Sequence, residues 1–174
     1  MAESTTVGVP SRILLLAGGI APPPVAESSG VGMWSVALTD DRAVLDAWVE
    51  RLHELGEGID GRIRMLMSRA PTPNERTFIR CRGVEPVVDT EDFRGPAGAV
   101  RDASADLDDE AVVLVAELSR CPLCPIEGVL RSHVSRGNAV TVAANPDESP
   151  AGVYAVTAGA LSGVPACGYT DIKE

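Results

Sequence analysis

At 174 residues the chain is long enough for one domain with a full core and short for two. Its formal net charge of −10 argues against nucleic acid or an anionic membrane surface as an electrostatically attracted partner. No apolar run approaches the roughly 18 residues that a membrane-spanning helix needs.

Residues 1–11 are expected to form a disordered lead. The stretch Met1 to Val9 is polar and lacks the basic-then-apolar order of a signal peptide, so a cytoplasmic location is the expectation. Residues 12–17 read as a short buried strand that closes on Gly18-Gly19, and residues 20–32 as a long loop rich in Pro, Gly and Ser. Leu45, Trp48, Val49, Leu52 and Leu55 recur at spacings of three and four, which predicts an amphipathic helix over 42–55 behind Asp40-Asp41. Alternation over 62–67 and again over 77–80 predicts two strands, with a loop at 70–76. A short helix is expected over 97–105. The apolar run Ala111 to Ala116 reads as a central strand buried on both faces. A helix over 125–136, stopped near Gly137, and strands at 139–144 and 152–156 complete the chain. Strands alternating with helices predict a single α/β domain over 12–174, with a Rossmann-like, mostly parallel sheet and helices on both faces.

Few residues carry evident chemistry. Gly18-Gly19 could bring backbone N–H groups close to an anion, or form a tight strand-to-helix turn with no ligand. Glu117 ends the most apolar strand, where α/β folds place ligands, but a solvated strand-end carboxylate is the plainer reading. Asp106, Asp108, Asp109 and Glu110 suit chelation by composition and a solvated turn by position. Cys121-Pro122-Leu123-Cys124 is a CxxC without a second close pair, so reduced thiols with no metal are expected for it and for Cys81 and Cys167. His53 is expected at the surface and His133 in packing.

Four stretches, in order, resemble the sugar-phosphate nucleotidyltransferases, which join a nucleoside triphosphate to a sugar 1-phosphate. They are Leu15-Leu16-Ala17-Gly18-Gly19, Arg42-Ala43-Val44-Leu45-Asp46-Ala47-Trp48, Gly95-Pro96-Ala97-Gly98-Ala99-Val100, and Gly152-Val153-Tyr154 with Gly168-Tyr169-Thr170-Asp171-Ile172-Lys173-Glu174. The resemblance implies a nucleotide or nucleotide-sugar partner held by Ala17, Gly18, Gly19, Gly95, Pro96, Ala97 and Gly98. It implies Mg²⁺ at Glu117, and a sugar side at Asp171 and Lys173. The turn at 17–19 and the segment at 95–98 are then expected to meet at the carboxyl edge of one sheet. The departures are as informative. The family's triphosphate-gripping Arg falls on Pro23 and its activating Lys on Met33. The sugar-contacting hairpin is missing between Ala144 and Pro150, and the family's C-terminal part is absent. The implied activity is a divergent nucleotidyltransferase-like domain with catalysis weakened or lost. The alternative is a structural or protein-interaction module with an empty pocket.

Overall fold

The computed structural model describes residues 8–18, 32–89, 95–121, 123–166 and 170. Its centre is a six-stranded sheet of β1 (Arg12–Leu16), β4 (Ile63–Met67), β5 (Glu85–Val88), β6 (Val112–Glu117), β7 (Val140–Ala144) and β8 (Pro150–Thr157), in the order β5-β4-β1-β6-β8-β7. The pairs β5–β4, β4–β1 and β1–β6 are parallel, whereas β8 runs antiparallel to both β6 and β7. The sheet is therefore mostly parallel with one reversed strand. A separate hairpin of β2 (Ala37–Thr39) and β3 (Arg42–Ala43) precedes the first helix.

Because successive strand residues face opposite sides, β1 splits its apolar residues between two cores. Ile13 and Leu15 join Trp48, Met65, Leu114 and Ala155 under α1 (Val44–His53), α2 (Pro73–Arg80) and α4 (Ile126–Arg136). Leu14 joins Leu66, Val113, Val115 and Tyr154 under α3 (Gly95–Ala103) and the 3-10 segment Ala158–Gly163. Each fully buried Leu, Ile or Val contributes about 1.5–3 kcal/mol relative to exposure. Helices thus cover both faces. Pro10 and Ser11, in the expected lead, are tied to the domain: Pro10 accepts a bond from Arg62, and the Ser11 N–H donates to Val112.

Three local expectations are corrected. The segment 77–80, expected as a strand, is the second half of α2. Thr72 caps the helix through a 3.3 Å bond from the Glu75 N–H, and Glu75 returns the favour by accepting from the Thr72 N–H at 2.8 Å. With Pro73 opening the first turn, this reciprocal cap outweighs the β-preference of Thr77, Phe78 and Ile79. Residues 85–88, given no element above, form an edge strand, where an interior proline such as Pro86 is tolerated. Arg42 and Ala43 belong to the hairpin rather than to α1, whose first turn is capped by the Asp46 carboxylate on the Ala43 N–H at 2.8 Å.

Of the buried polar side chains, Arg12 and His133 are paired, and the Ser104 hydroxyl has no hydrogen-bond partner among the described residues. Arg12 reaches Asp106 with two N–H groups and also donates to the Ala103 carbonyl. The Arg12 guanidinium holds the Asp106 carboxyl well below the ordinary carboxylate range. His133 sits buried between the hydroxyls of Thr141 and Thr157, each 3.1 Å away, while His53 is exposed beside Asp60. Among the described residues no helix is long and apolar enough to cross a membrane.

Candidate functional site

The parallel strands β5, β4, β1 and β6 bring their carboxyl ends to one edge, the position at which open α/β sheets take ligands. At this edge the Ala17 N–H bonds the Leu66 carbonyl at 2.9 Å, and a Cβ on Gly18 would lie 3.4 Å from the Cβ of Ser68. Gly19 and Pro23 lie outside the described residues, as do Asp171 and Lys173. Met33 is half-buried and opens a 3-10 turn whose next residue, Trp34, is buried and lies over Gly32.

The helix α3 starts after β5 and returns across the sheet, ending where Ala103 meets Arg12 at the amino end of β1. Its start, Gly95, therefore stands at the same carboxyl edge as Ala17 and Gly18. Gly95 has φ +69°, and a Cβ there would lie 2.5 Å from the Thr170 carbonyl oxygen. Only glycine accepts both that backbone conformation and that approach. The Ala97 N–H, expected to face a nucleotide, donates to Thr170 at 3.3 Å. Pro96 is half-buried, and Ala97 and Gly98 are buried.

Glu117 pairs in register with Leu16, which places it beside the Ala17–Gly18 turn. One carboxylate oxygen accepts from the Tyr154 hydroxyl at 2.7 Å, and the other lies 3.2 Å from Nε of Arg120. The Glu117 side chain is 18% exposed and that of Arg120 42%. Arg120 is anchored through its backbone: its carbonyl accepts from the indole N–H of the buried Trp48 at 2.8 Å, and its N–H bonds the Glu117 carbonyl. Gly152, on the adjacent β8, has φ +80° and leaves room for this arm, since a Cβ there would fall 2.6 Å from Arg120 Cδ. Arg120 packs with Gly152 and Tyr154, two residues of the stretch 152–154 that carries part of the resemblance, but the sequence does not single out Arg120 itself. The only local signal is an Arg three residues beyond the strand-end carboxylate.

The described residues do not by themselves make up a Mg²⁺ site. Among the described residues no group of three or more His, Cys, Asp or Glu side chains converges on one point. The carboxylate expected to bind the metal already carries a guanidinium and a phenol hydroxyl. Cys81 and Cys121 are exposed free thiols; Cys124 is half-buried, and burial pushes its thiol up, opposite to what a reactive thiolate needs.

No family model and no curated protein sequence matches the chain. Solved structures match its fold. HddC from Yersinia pseudotuberculosis complexed with GMP-PN aligns with TM-score 0.63 and 13% identity over 92% of this chain and 82% of that one. A CMP:2-keto-3-deoxy-manno-octonic acid synthetase complexed with CTP gives TM-score 0.57 and 11% identity, covering 87% of this chain and 75% of that one. A protein described as a glucose-1-phosphate thymidylyltransferase from Bacillus anthracis gives TM-score 0.64 and 13% identity, covering 92% and 86%. The chain has the fold of the sugar-phosphate nucleotidyltransferases.

Proposed function

We propose that the carboxyl edge of the sheet binds a nucleotide or a nucleotide-sugar, and that nucleotidyl transfer there is weakened or lost. The observation that carries this reading is the convergence of the Ala17–Gly18 turn, the start of α3 and the Glu117–Arg120 pair on one sheet edge. Two of the structures with this fold hold GMP-PN or CTP, which supports a nucleotide as the ligand. By the sequence resemblance, Pro23 and Met33 fall on the two positions that the family fills with phosphate-facing cations. Phosphoryl and nucleotidyl transfer depend mainly on neutralising developing negative charge, so their loss removes the principal source of rate. Any Mg²⁺ would arrive on a triphosphate, and Asp171 and Lys173 are the residues we assign to a sugar. The working location in this reading is the cytoplasm. Calorimetric titration with ATP, GTP, CTP, UTP and dTTP tests the reading, which fails if none binds at millimolar concentration.

A second reading, a protein-interaction module, is favoured by one feature. An open depression of about 360 Å³ is lined by Leu38, Ala47, Cys121 and Leu123 together with the charged Arg42, Glu50, Arg51 and Glu54, and Leu123 is 90% exposed. On this reading, Leu123→Asp lowers binding of a protein partner and leaves any nucleotide affinity unchanged.

A further inference from the structure

We infer that Arg120, held by Glu117, is a phosphate-binding cation of the carboxyl edge, and that it serves there in place of a protein-bound divalent metal. The inference rests on the nucleotide-binding reading above and names the group that makes such binding possible.

The chain has a net charge of −10, and Glu117 adds a carboxylate at the mouth of the proposed site. An unneutralised carboxylate there would repel a polyphosphate. A divalent ion is the usual remedy for such a carboxylate, but here a guanidinium already takes that position. Its Nε faces Glu117 Oε2 at 3.2 Å, which occupies one of five N–H donors. The other four, on a side chain 42% exposed, have no hydrogen-bond partner among the described residues. Planar guanidinium donors match the oxygens of a phosphate in pairs, which a single metal-free carboxylate cannot do.

The arm is also built in rather than draped over the surface. Its backbone is fixed at both polar groups, by Trp48 and by Glu117, and its Cδ fills the space that a side chain at position 152 would take. A flexible Arg would lose much of its binding strength to ordering; the Glu117 contact and the packing against Gly152 reduce that loss here. Glu117 is thus a positioning residue, and Tyr154 steadies its other oxygen.

The test is calorimetry of the intact protein with the five nucleoside triphosphates and, separately, glucose 1-phosphate, each in EDTA and in MgCl₂. The expected result is binding that persists in EDTA and weakens about tenfold or more in Arg120→Gln, with Arg120→Lys in between. Whichever probe binds identifies the phosphate donor as a nucleotide or a sugar phosphate. Binding that needs Mg²⁺, or that Arg120→Gln leaves unchanged, overturns the inference while the nucleotide reading stands. No binding by any probe overturns both. If Arg120→Gln fails to fold by circular dichroism, the EDTA arm on the unaltered chain decides.

Discussion

Gly152 meets two demands at once, a left-handed backbone and the passage of the Arg120 side chain. An L-residue in that conformation costs roughly 1–2 kcal/mol before any collision is counted. Gly152→Ala is therefore expected to lower unfolding free energy by at least about that much in a denaturant titration. Because the closest collision is with Arg120, adding Arg120→Ala should restore part of the loss, leaving the backbone strain and a 3.3 Å contact with the Glu117 Cβ. A double variant no more stable than Gly152→Ala would show that the two residues are not packed as described. The buried His133 gives a pH prediction. Burial pushes the His133 imidazole below its ordinary 6.5, so the native state holds it neutral between two threonine hydroxyls. The unfolded chain takes up a proton near pH 6.5 and the native one only at lower pH, so stability falls as pH drops below 6.5. His133→Gln should flatten that slope; an unchanged slope assigns the acid sensitivity elsewhere.

At the scale of elements, α2 shows why local preference misleads. Thr77, Phe78 and Ile79 favour strands one by one, yet only Ile79 is buried, and a helix places it on the core while leaving Thr77 and Arg80 in solvent. The deciding residues lie upstream, at Thr72, Pro73 and Glu75, within a stretch that its prolines and Asn74 make look like a loop. Thr72→Ala should cost about 1 kcal/mol. Glu75 supplies a pH signature of the same cap. The side-chain bond from Arg69 is the largest influence on its carboxyl, which with the Thr72 bonds is lowered from 4.5 to about 2. A carboxyl lowered in the native state stabilises above its unfolded value and loses that contribution as pH falls through the native one. The contribution of Glu75 should therefore fade between about pH 4.5 and 2, and Glu75→Gln should remove that part of the acid limb. Strands β1 and β6 were legible because burial on both faces writes a continuous apolar run. Strand β5 was not, since Glu85-Pro86-Val87-Val88 is short and its proline reads as a breaker until its edge position is known. Arg120 was illegible for another reason: its setting depends on Gly152, Tyr154 and Trp48, which only the folded sheet brings beside it.

The whole molecule has the fold of nucleotidyltransferases, and on the proposed reading its carboxyl edge takes the ligand. The order of motifs in the chain foretold the sheet with helices on both faces, because strand-helix alternation constrains topology more tightly than any single motif does. What the frame does chemically depends on cations. Transfer of a nucleotidyl group from a triphosphate to a sugar 1-phosphate brings two anions together and builds further charge on the leaving pyrophosphate, which the site must neutralise. By the sequence resemblance, Pro23 and Met33 fall where an Arg and a Lys would meet that need, and on the proposed reading the guanidinium available at this edge is that of Arg120, already paired with Glu117. One guanidinium shared with a carboxylate can hold a phosphate, but it cannot neutralise both reactants and the leaving group. We therefore expect no pyrophosphate release above the level of heat-inactivated protein from any pairing of the five triphosphates with glucose 1-phosphate, mannose 1-phosphate or N-acetylglucosamine 1-phosphate, with MgCl₂ present. Turnover in the ordinary enzyme range of about 1–10³ s⁻¹ would mean that cations elsewhere in the chain replace the missing pair, and the binding-only reading would give way to that of an active transferase.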